Sequence, residues 1–190
     1  MSTHDELRAI ALAEFASGGY LGTSLQRIAE VAGVSKSSVL YHYASKEALL
    51  EAGLRPAIDA FTAILARMET TVMTADGRAA FIADFVDCLL SFRLEIHIFI
   101  NQSRALVDIP IADEATAIIE RIASYFMAQD FTLEDKMRFG VALGGAAYTL
   151  ASRLGPEETE EPVEELRVAL ISIMSELLDP VPVRPLDLAE

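Results

Sequence analysis

An all-α protein is predicted, with a small N-terminal three-helix unit joined to a larger helical body. Two observations predict it. Apolar residues recur at steps of three and four almost from end to end, and no convincing run alternates as a strand would. A third places the divisions: the periodic segments break at Gly33, Asp76-Gly77, Pro110 and Gly155-Pro156. Residues 1–48 are expected to form the head, 49–179 the body and 180–190 an extended tail.

The head has the most specific pattern. A first helix is expected over residues 5–18, with Leu7, Ile10, Ala11 and Phe15 facing inward. A second is expected over 25–32, where Leu25, Ile28, Ala29 and Ala32 form one narrow apolar stripe. Thr23 or Ser24 can cap it. Gly33 suits a left-handed exit from that helix. Val34 is the apolar plug before the third helix, which Ser35 can cap. That helix reads Lys36 to Tyr43, with Val39 and Tyr43 inward and Lys36, Ser37, Ser38, Tyr41 and His42 outward. Two short helices around a glycine turn are the layout of a helix-turn-helix, whose second helix enters the DNA major groove.

Short polar side chains at a helix N-terminus let its backbone approach DNA, and hydroxyls and amides there bind phosphate oxygens. Lys36, Ser37 and Tyr41 are the candidates for base-edge or mixed contacts. Thr23, Ser24, His42 and Lys46 are the candidates for phosphate, and Ser35 and Ser38 complete the nucleic-acid set. The plainer alternative is a pair of core-packing helices with surface serines.

The motifs Gly33-Val34-Ser35, Tyr41-His42-Tyr43 and Ser45-Lys46-Glu47-Ala48-Leu49 resemble those of the TetR family of bacterial transcriptional regulators. The resemblance covers roughly residues 5 to 55. It implies an all-helical homodimer with an N-terminal DNA-binding unit and a divergent effector-binding body. Leu40 stands where the family usually has tyrosine, which removes one familiar DNA contact, and Ser37 stands where a glycine is frequent.

The body reads as further helices. One starts at Lys46 and continues past Pro56, where a kink or restart is expected, with Ala60, Ile64 and Met68 extending its apolar face toward Thr71. Others are expected over 78–92, with Phe81, Phe85, Cys88 and Phe92 on one face, over 94–107 as a buried helix, and over 113–127. Thr132 and Asp135 form a capping-box-like start for a helix to Leu154. The last helix, over 162–178, follows a glutamate-rich loop at 157–165. Two stripes suggest self-association: Gly140, Gly144, Ala147 and Ala151, and Leu166, Leu170, Ile173 and Leu177. Doubled, they would make a four-helix bundle, and a dimer is what a pseudo-palindromic operator requires. Packing within one subunit is the alternative.

An effector pocket is sought in the central helices. Phe81, Phe85, Phe92, Phe99, Ile118, Ile122, Tyr125, Phe126 and Tyr148 could supply apolar walls, or be plain core. Arg93, His97, Asn101 and Arg104 form a polar stripe that either faces solvent or lines a cavity, where the two guanidinium groups would favour an anionic head group and His97 could hydrogen-bond it. Asp84 and Asp87 offer the opposite polarity but suit an exposed face better.

Composition sets bounds. The net charge is −14, but residues 1–55 carry five basic and six acidic side chains, so the acidity belongs to the remainder. Arg27 and Arg55 join Lys36 and Lys46 as possible phosphate partners. No apolar run reaches the roughly 18 residues of a membrane span, and the acidic start MSTHDELRAI does not read as a secretory signal. A cytoplasmic protein is expected. Its one cysteine, Cys88, reads as a packing residue, and His4, His42 and His97 lie on separate elements. No metal site, cofactor or enzymatic motif is expected. The reading is a homodimeric DNA-binding repressor, released by a small-molecule effector of open class. The alternative is a ligand- or protein-binding helical dimer with a degenerate DNA head.

Overall fold

The computed structural model describes residues 3–70, 74–128, 131–152 and 162–182. Their regular structure is helical: α1 (Thr3–Gly18), α2 (Leu25–Val31), α3 (Lys36–His42), α4 (Lys46–Thr70), α5 (Ala75–Ser91), α6 (Arg93–Asn101), α7 (Pro110–Ala128), α8 (Leu133–Ser152) and α9 (Val163–Leu178). A single 3-10 turn, Ser103–Ala105, follows α6. None of these helices is long and apolar enough to cross a membrane.

Caps explain most helix starts. Ser24 accepts from the Arg27 amide, Ser35 from Ser38 and Thr74 from Gly77. At α8, Thr132 Oγ1 accepts from the Asp135 amide while the Asp135 carboxylate accepts from the Thr132 amide, at 3.1 and 3.0 Å. This reciprocal pair explains why Asp135 is buried.

Several boundaries differ from expectation. Asp76-Gly77 lies inside the first turn of α5, because Thr74 caps the helix ahead of it. Pro110 opens α7 instead of ending the preceding unit, since the first helical position needs no N–H. The helix expected over 94–107 ends at Asn101, and Val107 is exposed. α4 runs through Pro56 without restarting. The expected tail holds a buried residue: Val181 packs inward, and its carbonyl accepts from Arg78 at 2.6 Å. Thr71, Leu154, Gly155-Pro156 and residues 157–161 and 183–190 lie outside the described residues.

The core forms two clusters that meet along α4. One joins Leu7, Phe15, Ile28 and Val39 of the head to Leu49, Leu50 and Ile58 of α4, Ile98 of α6 and Ile111 of α7. Apolar packing is therefore continuous across residue 48. The other gathers the far end of α4 with α5, α8 and α9, including the Phe126 and Phe139 rings, stacked 3.8 Å apart. Cys88 belongs to this cluster, and burial pushes its thiol up to about 12, so it stays a neutral packing group at physiological pH. The bundle surface is laced by ion pairs: Asp84 takes Arg67 and Asp87 takes Arg167 in a two-bond fork, so both carboxylates tie neighbouring helices.

Candidate nucleic-acid interface

The turn between α2 and α3 is built as a left-handed reversal. Gly33 has φ +67° and the Val34 amide returns to the Ala29 carbonyl at 2.9 Å. Val39 and Tyr43 then anchor α3 inward, and the Tyr43 hydroxyl donates to the His4 carbonyl at 3.0 Å. Lys36, Ser37 and Tyr41 stand outward, Tyr41 with 86% of its surface exposed. Ser35 and Ser37 hydroxyls pair at 2.9 Å, while Ser38 and His42 are half-buried at the edges of the face. Leu40 is also exposed, so its side chain shares the solvent side of α3. Ser24 is exposed beside this surface, with its hydroxyl engaged as a cap.

Two phosphate candidates are corrected by the geometry. Thr23 is buried, and its hydroxyl donates to the Glu14 carbonyl at 2.9 Å. The Lys46 ammonium turns into the protein, donating to the carbonyls of Tyr20 at 2.6 Å and Thr23 at 2.9 Å, and lies 4.3 Å from the Tyr20 ring centre. Desolvation holds its pKa below the usual lysine value. Arg27 and Arg55 are likewise engaged, the first with Glu14 at 2.8 Å and the second with Glu114 at 2.6 Å.

The turn after α1 is thus a joint. The last carbonyls of a helix lack intrahelical donors. Here Gln102, at the end of α6, donates to the Phe15 carbonyl at 2.7 Å and accepts from the Tyr20 amide at 2.6 Å. Burial, helped by neighbouring Glu47, pushes the Tyr20 phenol up to about 12. Sequence reasoning passed over Gln102, because its partners are more than eighty residues away.

Behind this joint lies a cavity of about 290 Å³ between α4, α5, α6, α7 and α8. Leu54, Phe61, Phe85, Phe99, Ile118 and Leu143 typify its wall, and Glu95 is the ionisable residue on it. Of the expected pocket residues, Phe85, Phe99, Ile118 and Ile122 line it. Phe92, His97, Asn101, Arg104, Tyr125 and Tyr148 do not. His97 instead hydrogen-bonds through Nδ1 to the Ala151 carbonyl at 2.7 Å, with the Asn101 amide 3.1 Å from the same nitrogen. Within the stripe His97 is therefore a helix-to-helix fastening, while Asn101, Arg104 and Tyr148 are exposed. Phe92 is the joint residue between α5 and α6, and Tyr125 packs edge-on against Phe126. Glu95 was the missed signal: an acid within the apolar run LEIHIFI.

The outer face of α8 and α9 divides the expected self-association residues. Gly140 and Ile173 are exposed, and a Cβ on Gly140 would meet no heavy atom within 4 Å; Gly144, equally open, lines the cavity. Ala147 is half-buried on the cavity wall and Leu166 is half-buried. Ala151 is fully buried, and Leu170 and Leu177 pack on the second core, so these three serve the subunit itself. Met137, Val141 and Tyr148 of α8 and Val168 of α9 are the exposed large apolar side chains beside the glycines.

Known proteins match this arrangement. Residues 7–52 fit the family model described as bacterial regulatory proteins, tetR family. The HTH-type transcriptional regulator RutR of Escherichia coli K12 is 51% identical over 55 residues, a match covering 29% of this chain and 26% of RutR. Over nearly the whole chain the fold is similar to that of SCO3833 from Streptomyces coelicolor A3, a member of the TetR transcriptional regulator family. That similarity has a TM-score of 0.69 at 18% identity and covers 90% of this chain and 89% of SCO3833. The ketosteroid transcriptional regulator KstR2 of Mycobacterium tuberculosis gives 0.67 at 16% identity, covering 96% of each chain. The head is thus similar to the tetR family, in a match that spans well under two thirds of RutR, and over nearly the whole chain the fold is shared with these solved regulators.

Proposed function

We propose that the protein is a cytoplasmic, sequence-specific DNA-binding transcriptional regulator, working as a homodimeric repressor that a small effector releases from its operator. The observation that carries this reading is α3, fixed by Val39 and Tyr43 on one side and presenting Lys36, Ser37 and Tyr41 on the other. In the proposal these three side chains reach base edges. Backbone and hydroxyl groups near Ser24, Ser35 and Ser38, with His42, meet phosphates. Residues 1–48 act as the reading head and 49–179 as the effector and dimer body, coupled by α4. The dimer would form on the exposed apolar surface around Gly140, Val141 and Ile173, placing two heads on a pseudo-palindrome.

The cavity supports effector control because its wall includes Phe99 and Ile100 of α6, the helix whose end residue Gln102 grips the head. A ligand that widens the space between α4 and α6 would strain that grip and re-aim α3. Useful control needs a preference for the released state of a few kcal/mol. The test is a mobility-shift titration with DNA from upstream of the protein's own coding region, at several salt concentrations. Retention of a discrete complex that a Tyr41→Ala variant loses is the expected result. Equal affinity for unrelated DNA would favour the second reading, a ligand-binding helical dimer with a degenerate head, which Leu40 motivates.

A further inference from the structure

The cavity wall is nearly uniform in chemistry, and the exception decides what it can hold. α4, α5, α7 and α8 contribute only apolar side chains and Gly144. α6 contributes Ile96, Phe99 and Ile100, and one carboxyl, Glu95. No hydroxyl, amide, imidazole or cationic side chain accompanies it on that wall. A bound molecule therefore finds an almost wholly apolar surface, with Glu95 as the one ionisable residue beside it.

The surroundings of Glu95 leave that acceptor available. Among the described residues Glu95 takes part in no ion pair within 4 Å; its bond is with its own backbone amide, in the first turn of α6. Arg8 of α1 acts on it only as a more distant charge, and Cys88 of α5, the other titratable neighbour, stays neutral. Burial dominates, raising the Glu95 carboxyl above the ordinary glutamate value.

We propose that this cavity binds a hydrophobic amine, its carbon skeleton against the apolar walls and its ammonium on the Glu95 carboxylate. A carboxylate drawn partly out of water, with only its own backbone amide as partner, is costly, and a cation with three N–H donors neutralises it and satisfies its remaining lone pairs. A neutral alcohol supplies one donor and leaves the charge uncompensated. A hydrophobic carboxylate is disfavoured outright, since two carboxyls cannot both ionise in one small apolar space. The volume, near the lower end of ligand cavities, limits the guest to a compact molecule.

The inference rests on reading the cavity as the effector site, but binding can be measured without DNA. The full chain is titrated by calorimetry with three matched probes: 4-phenylbutylamine, 4-phenylbutanol and 4-phenylbutyrate. The amine is expected to bind about tenfold or more tightly than the alcohol, and the acid least. Glu95→Gln should bring the amine down to the alcohol's affinity while the alcohol is unchanged. Binding of the acid or alcohol as tight as the amine, no binding by any of the three, or an amine affinity indifferent to Glu95→Gln would overturn the proposal. Should Glu95→Gln not fold, by circular dichroism, the three-probe ranking on the native chain decides alone. The same probes added to the DNA complex separate the two readings. Glu95-dependent amine binding without release of DNA leaves the ligand class standing and removes the effector role. Release by the acid or alcohol keeps effector control and removes the amine.

Discussion

The outward face of α3 and the turn after α1 belong to one head, yet they are held in different ways. Around α3 the polar fastenings stay within the head: Ser35 caps Ser38, the Val34 amide returns to Ala29, and the Tyr43 hydroxyl reaches the His4 carbonyl. At the turn the fastenings come from far along the chain, Lys46 from α4 and Gln102 from α6. The face is thus a preassembled unit whose side chains are left for a partner. The turn is where the body takes hold of that unit. Two lysines ten residues apart therefore do different work, Lys36 outward and Lys46 as an internal brace.

The largest effect should come from Lys46→Met. It removes a charged donor shared by two carbonyls, a loss of about 2–3 kcal/mol in unfolding free energy. Urea denaturation should show the lower midpoint. DNA affinity should fall while its dependence on log salt keeps the wild-type slope, because no phosphate contact is lost. A flattened slope with unchanged stability would return Lys46 to the phosphate-binding set. Gln102→Ala is the next step down. It leaves the Phe15 carbonyl and Tyr20 amide to water, a cost of about 1–2 kcal/mol. Its distinguishing readout is hydrogen exchange: the Tyr20 amide should lose protection while the amides of α3 keep theirs. Loss of protection spreading evenly through the head would contradict a joint confined to this turn.

The same contrast sets how much the sequence made legible. Caps, the Gly33 turn, the inward Val39 and Tyr43 and the outward Lys36 and Tyr41 follow from spacing within one or two turns of chain, and the structure has them there. Thr23 and Lys46 were misplaced because polar residues near a helix start look alike whether they face solvent or a carbonyl. Only the packing of α1 against α4 decides between these. The stripe from Arg93 to Arg104 drew attention by its regular spacing, and its partner turned out to be the Ala151 carbonyl of α8. Glu95 was visible as a letter but not as a wall residue, since its burial depends on four other helices meeting α6. Long-range partners are what residue periodicity cannot supply.

Within the face itself the expected effects shrink. Gly33→Ala places a Cβ in the left-handed region, at a cost of about 1 kcal/mol, although no neighbouring atom obstructs it. Thermal denaturation should register a lower Tm, and DNA binding at saturating protein should survive. An unchanged Tm would mean the α2–α3 turn relaxes freely, and the face would then be less preassembled than the caps indicate. Lys36→Ala should leave Tm alone. Its expected signature is a Kd raised about tenfold and a salt slope reduced by about 1, as one phosphate or mixed contact disappears.

Arg27→Gln should do least, and for that reason it sharpens the comparison most finely. Arg27 is a head cation near α3, and by charge alone it should resemble Lys36. Its guanidinium, however, already rests on Glu14 at 2.8 Å, with a second contact at 3.5 Å. The pair raises its pKa further above the usual arginine value, chiefly through that hydrogen bond, so the charge is permanent but neutralised locally. A phosphate would have to displace Glu14 to gain what Lys36 offers without competition. The salt slope of Arg27→Gln should therefore match the wild type, and a Glu14→Gln variant, which frees the cation, should steepen it. If Arg27→Gln instead flattened the slope as much as Lys36→Ala, then the head would meet DNA through its total charge. The distinction between free and engaged cations would no longer describe how it binds.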